Sequence, residues 1–198
     1  MNVNVHLKMR GCNTRRYEND LKIDEEAGLA TFFLFSLTGA FVGYQQYRPN
    51  GPKTSEGKGL PREELRYFTH ITRDSEKRPN AMPVFGMSQY DWRKPDLYIV
   101  EGIFDAIALH NLGLNALAVL GNNPAAASAF FAAFGQHRII GVLDGDKASD
   151  ALAKHCHMVV KCPAGEDAAS LGLRGDLETL LKEAQAFQPL AIPTKSTT

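Results

Sequence analysis

The pattern of hydrophobic and polar residues changes near residue 95 of this chain. Before that point the apolar stretches are short and rich in aromatic and β-branched residues, as in 31–37 and 40–47, which flank Thr38 and Gly39. Such residues favour strands, and two of these stretches around a glycine turn predict an antiparallel hairpin. We expect further short strands at 67–71 and 82–86, and a short helix near 14–21.

From residue 96 onward, buried apolar runs alternate with segments of helical spacing. The apolar runs predict strands at 97–100, 115–120, 138–143 and 157–161. Helices are expected at 103–112, 124–135, 147–154 and 176–186. Asn123 before Pro124 is a strong start signal for the second helix. Repeated strand–helix units with short links predict an α/β fold, in which helices flank a parallel sheet with right-handed crossovers.

The same change of pattern predicts the domain organisation. Residues 1–95 are expected to form a small, mainly antiparallel β subdomain, and residues 96–188 the parallel α/β domain. Residues 189–198 read as a flexible tail. The 22 basic and 22 acidic residues cancel over the whole chain. Residues 1–96 nevertheless carry 15 basic and 12 acidic side chains, so a basic first half precedes an acidic second half. That asymmetry suits a polyanion held near a metal site, although a solvated surface explains it equally well.

Cysteine usage and hydropathy bear on the compartment. Cys12, Cys156 and Cys162 have no paired spacing, which favours free thiols in a reducing environment. Zinc binding by the sequence His155-Cys156-His157 is disfavoured, because neighbouring residues of a strand point to opposite faces. No apolar run approaches the ~20 residues that span a bilayer. The chain is therefore expected to be cytoplasmic, with no membrane partner.

Acidic residues directly follow the apolar runs of the second half. Glu101 follows the first predicted strand, Asp144 and Asp146 follow the third, and Asp167 lies in the loop after the fourth. Carboxyl ends of parallel strands meet at one edge of a sheet, where ligands bind. Carboxylates gathered there repel one another unless a cation neutralises them, and their oxygens suit Mg²⁺ or Mn²⁺. Asp105, one helical turn after Glu101, can face the same crevice or simply favour the helix start.

Two further groups of residues are candidates for binding phosphates. The first group lies beside the acids at predicted helix starts, where backbone amides and a cation can hold an anion. Its members are Gly102, Gly121, Asn122 and Lys147. Capping of the helices is the alternative role for these residues. In the first half, five cations are candidates for holding a single nucleic-acid strand: Arg48, Lys53, Lys58, Arg62 and Arg66. Tyr44, Tyr47, Tyr67 and Phe68 lie near them in sequence, but most of these rings are expected in the core.

Residues 97–171 resemble the Toprim domain, the metal-binding fold of bacterial-type primases, topoisomerases and some nucleases. The resemblance rests on the order of three stretches: Glu101-Gly102 with Asp105, Asp144-Gly145-Asp146-Lys147-Ala148, and Pro163-Ala164-Gly165-Glu166-Asp167. The hairpin around Gly39 and the segment Arg66-Tyr67-Phe68 are similar to the subdomain that precedes Toprim in primases. This extends the resemblance to residues 30–171, and its closest branch is the catalytic core of bacterial and phage DNA primases.

That resemblance implies a site and an activity. Asp144 and Asp146 would ligate Mg²⁺, with Mn²⁺ as an alternative, and Glu101 would complete the site or act as general base on a 3′-hydroxyl. Asp105 and Asp167 would be further ligands. The chain would make short RNA primers on single-stranded DNA from ribonucleoside triphosphates, with a separate replicative helicase as partner and a phage or mobile element as source, hence the host cytoplasm.

Two features depart from the family pattern. Ser149 stands where the family usually has glycine, and Ala168 and Ala169 stand where primases often carry a further acid. The number of metal ions, one or two, therefore stays open. A metal-dependent Toprim nuclease is one alternative, and a non-catalytic module that binds nucleic acid or a protein partner is another.

Overall fold

The structure is a computed structural model that describes residues 2–53, 59, 61–72, 82–120, 124–144 and 150–187. Its strands are β1 (Leu21–Asp24), β2 (Leu29–Phe35), β3 (Phe41–Tyr47), β4 (Tyr67–Ile71), β5 (Val84–Phe85), β6 (Asp96–Val100), β7 (Ala116–Val119), β8 (Arg138–Leu143) and β9 (Met158–Lys161). The helices are α1 (Val3–Met9), α2 (Ile103–Asn111), α3 (Pro124–Ala133), α4 (Asp150–Ala153), α5 (Ala168–Arg174) and α6 (Leu177–Phe187). The strands join in one sheet of order β4-β3-β2-β5-β7-β6-β8-β9, with β1 also paired to β2.

The first four strands form the antiparallel part of the sheet. Along β2, buried Ala30, Phe32 and Leu34 alternate with half-buried residues, as expected for a strand with one face on the core. The predicted hairpin is confirmed: β2 pairs with β3, and the turn between them closes with a 2.8 Å hydrogen bond from the Ser36 amide to the Ala40 carbonyl.

The last four strands form the parallel part, in the order β7-β6-β8-β9. Residues 97–100 and 139–143 are buried without interruption, which is typical of strands covered on both faces. Helices α1, α2, α5 and α6 pack on one face around Leu7, Ile107 and Leu177. Helix α3 packs on the other face through Phe130 and Phe131, and Phe134, which directly follows the helix, packs beside them. The predicted helix-flanked parallel sheet is therefore confirmed.

The structure differs from the prediction mainly in its polar segments. The predicted helix at 14–21 is wrong: residues Thr14–Tyr17 form a 3₁₀ turn, which leads into strand β1. Helix α1 was not predicted, because it is short and polar. It is held by capping, since the Asn2 side chain accepts from the Val5 amide and the Glu25 carboxylate accepts from two first-turn amides. Helix α5 was also not predicted.

Strand β5 joins the two parts of the sheet, since it pairs antiparallel with both β2 and β7. The predicted domain boundary at 95/96 falls beyond this junction, within a continuous sheet. The predicted tail, residues 189–198, lies outside the described residues. Within the described part, no helix is both long and apolar enough for a membrane span.

Candidate active site

Glu101 and Asp144 lie at the carboxyl ends of neighbouring parallel strands. Strand β6 pairs with β8 so that Ile99 stands beside Gly141. The same register carried forward puts Glu101 beside Leu143, with Asp144 one residue further. The chain goes from β6 to β7 on one side and then crosses to β8 on the other, so β6 and β8 flank the topological switch point. Ligand crevices of open α/β sheets form at that point. Both side chains are half-buried.

Helix α2 begins directly at this edge, and its first turn carries Asp105. Gly102 is the residue that caps the helix, in extended backbone conformation. A Cβ atom at position 102 would collide with the Asp105 carboxylate, in particular with Oδ2. Glycine is therefore required here to leave room for that carboxylate, which folds back over the helix start. This gives the predicted phosphate-binding residue Gly102 a defined packing role.

Asp105 Oδ1 accepts a 2.8 Å hydrogen bond from the backbone amide of Ala169, in the first turn of α5. Close packing of the two helices makes this contact possible, since a Cβ at Gly172 of α5 would come within 2.8 Å of the Ala108 side chain of α2. Burial, with the charges of Asp167 and Asp144, raises the pKa of Asp105 to about 7, although the hydrogen bond from the Ala169 amide opposes the rise. The neighbouring carboxylates thus act on Asp105.

Asp167 caps helix α5. Its Oδ1 accepts a 2.7 Å hydrogen bond from the Ser170 amide, and the Ser170 hydroxyl accepts in turn from the Asp167 amide. This reciprocal arrangement is a capping box. One oxygen of Asp167 is therefore engaged in holding the helix, while its charge still acts on Asp105.

The buried Cys162 thiol lies near four acidic side chains. Burial raises its pKa to about 12, and the charges of Asp144, Asp105, Asp167 and Glu166 raise it in the same direction. Four carboxylates from three different segments therefore lie near one buried side chain. The arrangement concentrates negative charge at one end of the parallel sheet.

Several predicted site residues lie outside the described residues. These are Asp146, Lys147, Gly121, Asn122 and Lys58. Among the residues that are described, no group of three His, Cys, Asp or Glu side chains is arranged as a metal site. The donors at the switch point are nevertheless carboxylate oxygens, which fit a hard divalent cation and do not fit zinc.

A basic corner lies near Asp105. It consists of Arg10, which sequence reasoning missed, and the predicted Arg66, with the rings of Tyr47 and Tyr67. The Arg10 guanidinium lies 4.0 Å from the ring centroid of Phe104 and donates a 3.2 Å hydrogen bond to the Tyr67 hydroxyl. Its charge lowers the pKa of Asp105. Arg10 immediately follows α1, so it was overlooked together with that helix.

The other predicted nucleic-acid cations are placed near one another by the loop after β3. The Arg48 amide donates to the Arg66 carbonyl at 2.9 Å, and Arg66 Nε donates to the Gly51 carbonyl at 3.0 Å. Lys53 and Arg62 are exposed. The structure thus joins Arg48 and Arg66 at one corner of the antiparallel part.

The histidines near Cys156 have structural partners. His157 Nδ1 accepts a 2.9 Å hydrogen bond from the Ile139 amide, and the His155 ring stacks on Phe131 at a centroid distance of 4.7 Å. These contacts hold strand β9 and α3 in place.

Comparison with known proteins places this geometry in a class. Residues 98–173 match the family model described as Toprim-like. No curated protein sequence matches the chain significantly. Residues 98–173 are therefore similar to Toprim-like domains.

Solved structures extend the similarity to most of the chain. The Aquifex aeolicus primase, in a structure of its zinc-binding and RNA polymerase domains, is 16% identical with a TM-score of 0.60 over 92% of this chain and 55% of its own. A DnaG primase catalytic domain bound to ssDNA is 18% identical with a TM-score of 0.57, over 90% of this chain and 64% of its own. The primase fragment of the bacteriophage T7 primase-helicase protein is 19% identical with a TM-score of 0.58, over 90% of this chain and 72% of its own.

These matches show that the chain has the fold of primase catalytic cores. The chain spans 55% and 64% of the first two structures, so it corresponds to a part of them.

Proposed function

We propose that this chain is a primase-like nucleotidyltransferase that makes short RNA primers on single-stranded DNA by metal-dependent phosphoryl transfer. The observation that carries the proposal is the position of Glu101 and Asp144 at the switch point, with Asp144 and Asp167 close enough for their charges to raise the pKa of Asp105. The primase-core fold supports it. A DNA template, ribonucleoside triphosphates and a separate helicase are the proposed partners.

Glu101, Asp144 and Asp146 are the proposed ligands of Mg²⁺ or Mn²⁺, and Asp105 and Asp167 stand beside them. A bound cation would neutralise triphosphate charge and orient the attacking hydroxyl. Asp105 and Asp167 each use one oxygen to hold the start of α5. Their proposed role is therefore to keep the surroundings of the metal ligands in position. Glu101 is the candidate general base for the 3′-hydroxyl.

The basic side chains are the proposed contacts for phosphate groups. Arg10 and Arg66 are the proposed contacts for the triphosphate or the template backbone, because the charge of Arg10 acts on Asp105 and the charges of Arg10 and Arg66 both act on the Tyr47 hydroxyl. Gly102, Gly121, Asn122 and Lys147 are proposed for the nucleotide at the helix starts. Arg48, Lys53, Lys58 and Arg62 are proposed to track the template strand.

A primer-synthesis assay tests the proposal. The chain is incubated with single-stranded DNA, labelled ribonucleotides and Mg²⁺ or Mn²⁺. We expect short RNA products, and a loss of at least roughly 100-fold in Glu101→Gln and in Asp144→Asn, since a metal ligand contributes several kcal/mol to the transition state. Glu178→Gln is the matched control, an exposed glutamate on α6.

The other outcomes are distinct. Cleavage of the template would support the nuclease alternative and contradict primer synthesis. Binding of metal and DNA without either reaction would contradict primer synthesis and support the non-catalytic alternative.

A further inference from the structure

One face of the antiparallel part carries a cluster of six rings, which we call the aromatic face: Phe33, Phe35, Phe41, Tyr44, Phe68 and His70. The register places Phe33 beside Tyr44, and Tyr44 beside His70. The Phe41 ring lies 6.1 Å from Phe33 and 6.4 Å from Phe35, between ring centroids. Tyr44 stacks on His70 at 5.2 Å and meets Phe68 edge-on at 6.4 Å. The rings therefore form one continuous surface across three strands.

The aromatic face belongs to neither core. The buried residues of β2 (Ala30, Phe32 and Leu34) point to the opposite face and pack with α1 and α2. Helix α3 covers the parallel strands on the other side of the sheet, and none of the six rings belongs to that core either. Phe41 is 49% exposed, His70 is exposed, and the other four rings are half-buried. Six rings outside both described cores make a large apolar surface, and such surfaces are typical of binding sites.

The charges around this face favour a polyanion. Strands β2, β3 and β4 contain no aspartate or glutamate. Lys22 stands beside Thr31 on the same face and is exposed; Asp24, which pairs with Leu29, is the one acidic residue of the four antiparallel strands β1–β4 and lies on this face too. Arg48 follows β3, and its Nη2 donates a 3.2 Å hydrogen bond to Gln46, which pairs with Phe68. Among the described residues, Arg48 Nη1 is buried and has no hydrogen-bond partner.

We infer that the aromatic face binds single-stranded nucleic acid, whose bases stack on the rings while Lys22 and Arg48 contact the phosphates. Every base has a π-face, so stacking on aromatic side chains tolerates any sequence, and flanking cations track the backbone. A twisted antiparallel sheet with aromatic residues on its open face is also how common RNA-binding modules hold splayed bases. As a template surface this inference rests on the proposed function, but the binding itself requires no catalysis.

The test is binding of a fluorescein-labelled oligothymidylate of 12 nucleotides, followed by fluorescence anisotropy without divalent metal. Phe41→Leu and Tyr44→Leu keep the apolar bulk and remove the ring. Each is expected to weaken binding about tenfold, because stacking on one ring supplies 1–3 kcal/mol per base. Trp92→Leu is the matched control: Trp92 is 71% exposed, precedes β6 and is expected to leave the affinity unchanged.

A protein partner on the same face would behave differently, since leucine preserves an apolar contact. Affinity for the oligonucleotide that is unchanged in Phe41→Leu and Tyr44→Leu overturns the inference, as does a preference of the parent for duplex DNA of the same length. Thermal unfolding shows that each variant is folded.

A second measurement avoids substitution altogether. Photocrosslinking of the parent chain to an oligonucleotide that contains 5-iodouracil should label peptides with Phe41, Tyr44 or His70. Labels confined to other peptides overturn the inference.

These results separate this inference from the proposed function. Asp144→Asn is expected to abolish primer synthesis and to leave oligonucleotide binding intact. If the parent makes no primers but Phe41→Leu weakens oligonucleotide binding, the inference holds and the proposed polymerase activity is wrong. If the parent makes primers and Phe41→Leu binds the oligonucleotide as tightly as the parent, the proposed activity holds and the template binds elsewhere.

Discussion

The carboxylate of Asp105 accepts a hydrogen bond from the backbone amide of Ala169, across 64 positions of sequence. Ala169 lies in the first turn of α5 and contributes its backbone amide to this contact. A charge-assisted hydrogen bond of this kind partly compensates the burial of the carboxylate. The first turns of α2 and α5 are thereby tied together beside the candidate metal site.

Replacing Asp105 tests this link. Asp105→Ala leaves the Ala169 amide without its acceptor, so we expect its free energy of unfolding to lie about 1–3 kcal/mol below that of Asp105→Asn. Asp105→Asn keeps an acceptor oxygen and removes a buried charge near two other carboxylates, so its stability should match or exceed that of the parent. Urea denaturation at pH 8 without metal measures both. Equal destabilisation by the two variants would contradict the role of the hydrogen bond.

Divalent metal is expected to stabilise the fold through the same carboxylates. At 100 times its dissociation constant a ligand adds about 2.7 kcal/mol to stability. Mn²⁺ should therefore raise the thermal unfolding midpoint of the parent and of Glu178→Gln, and should leave Glu101→Gln and Asp144→Asn nearly unshifted. Differential scanning fluorimetry gives the comparison. A shift of equal size in all four proteins would mean that Mn²⁺ binds elsewhere.

Gly102→Ala tests the geometry of the acids without changing their charge. The new methyl group would occupy the place of Asp105 Oδ2, so the carboxylate must move. We expect primer synthesis to fall at least tenfold, because small displacements of catalytic groups are costly. Gly135→Ala is the control, since a Cβ there meets only the Ala132 carbonyl oxygen at 3.5 Å. Full activity in Gly102→Ala would show that Asp105 need not lie over the helix start.

His110 makes stability depend on pH. Its Nδ1 lies 2.9 Å from the Tyr17 hydroxyl and its Nε2 lies 2.8 Å from the Ala116 carbonyl oxygen, so the neutral ring donates from Nε2 and accepts at Nδ1. Burial lowers the pKa of His110 to about 4.

Since the folded protein prefers the neutral ring, the contribution of His110 to the free energy of unfolding is complete above pH 6.5. It is lost as the pH falls from 6.5 to 4, by about 3 kcal/mol in total. His110→Gln should lower stability at pH 7 and flatten this part of the pH profile. Guanidinium denaturation between pH 4 and 8 measures both effects, and an unchanged profile in the variant would exclude His110 as the source.

Most of the parallel part could be predicted from the sequence. Strands 97–100 and 138–143 are continuous apolar runs, and the helix after Gly102 carries apolar residues at helical spacing, so periodicity alone located them. The positions of Glu101 and Asp144 then followed from topology, because parallel strands end at a common edge. The match of residues 98–173 to the Toprim-like family agrees with this.

The remaining features depend on tertiary contacts that periodicity does not encode. Helix α1 is stabilised by the Glu25 carboxylate, which lies 22 positions from Val3 in the chain. Arg10 gains its place from that helix, and its contact with Phe104 joins residues far apart in sequence. Most of the rings of Tyr44, Tyr47, Tyr67 and Phe68 were expected in the core. Tyr47 is buried there, but Tyr44 and Phe68 fall on the open face, which the pattern alone could not distinguish from the covered one.

Strand β5 is only two residues long, yet it couples the antiparallel and parallel parts through hydrogen-bonded ladders on both sides. A hinge between the two parts would have to break these ladders. The antiparallel and parallel parts are therefore one continuous sheet, and a nucleic-acid strand held on the aromatic face would keep a constant distance from the carboxylates at the switch point.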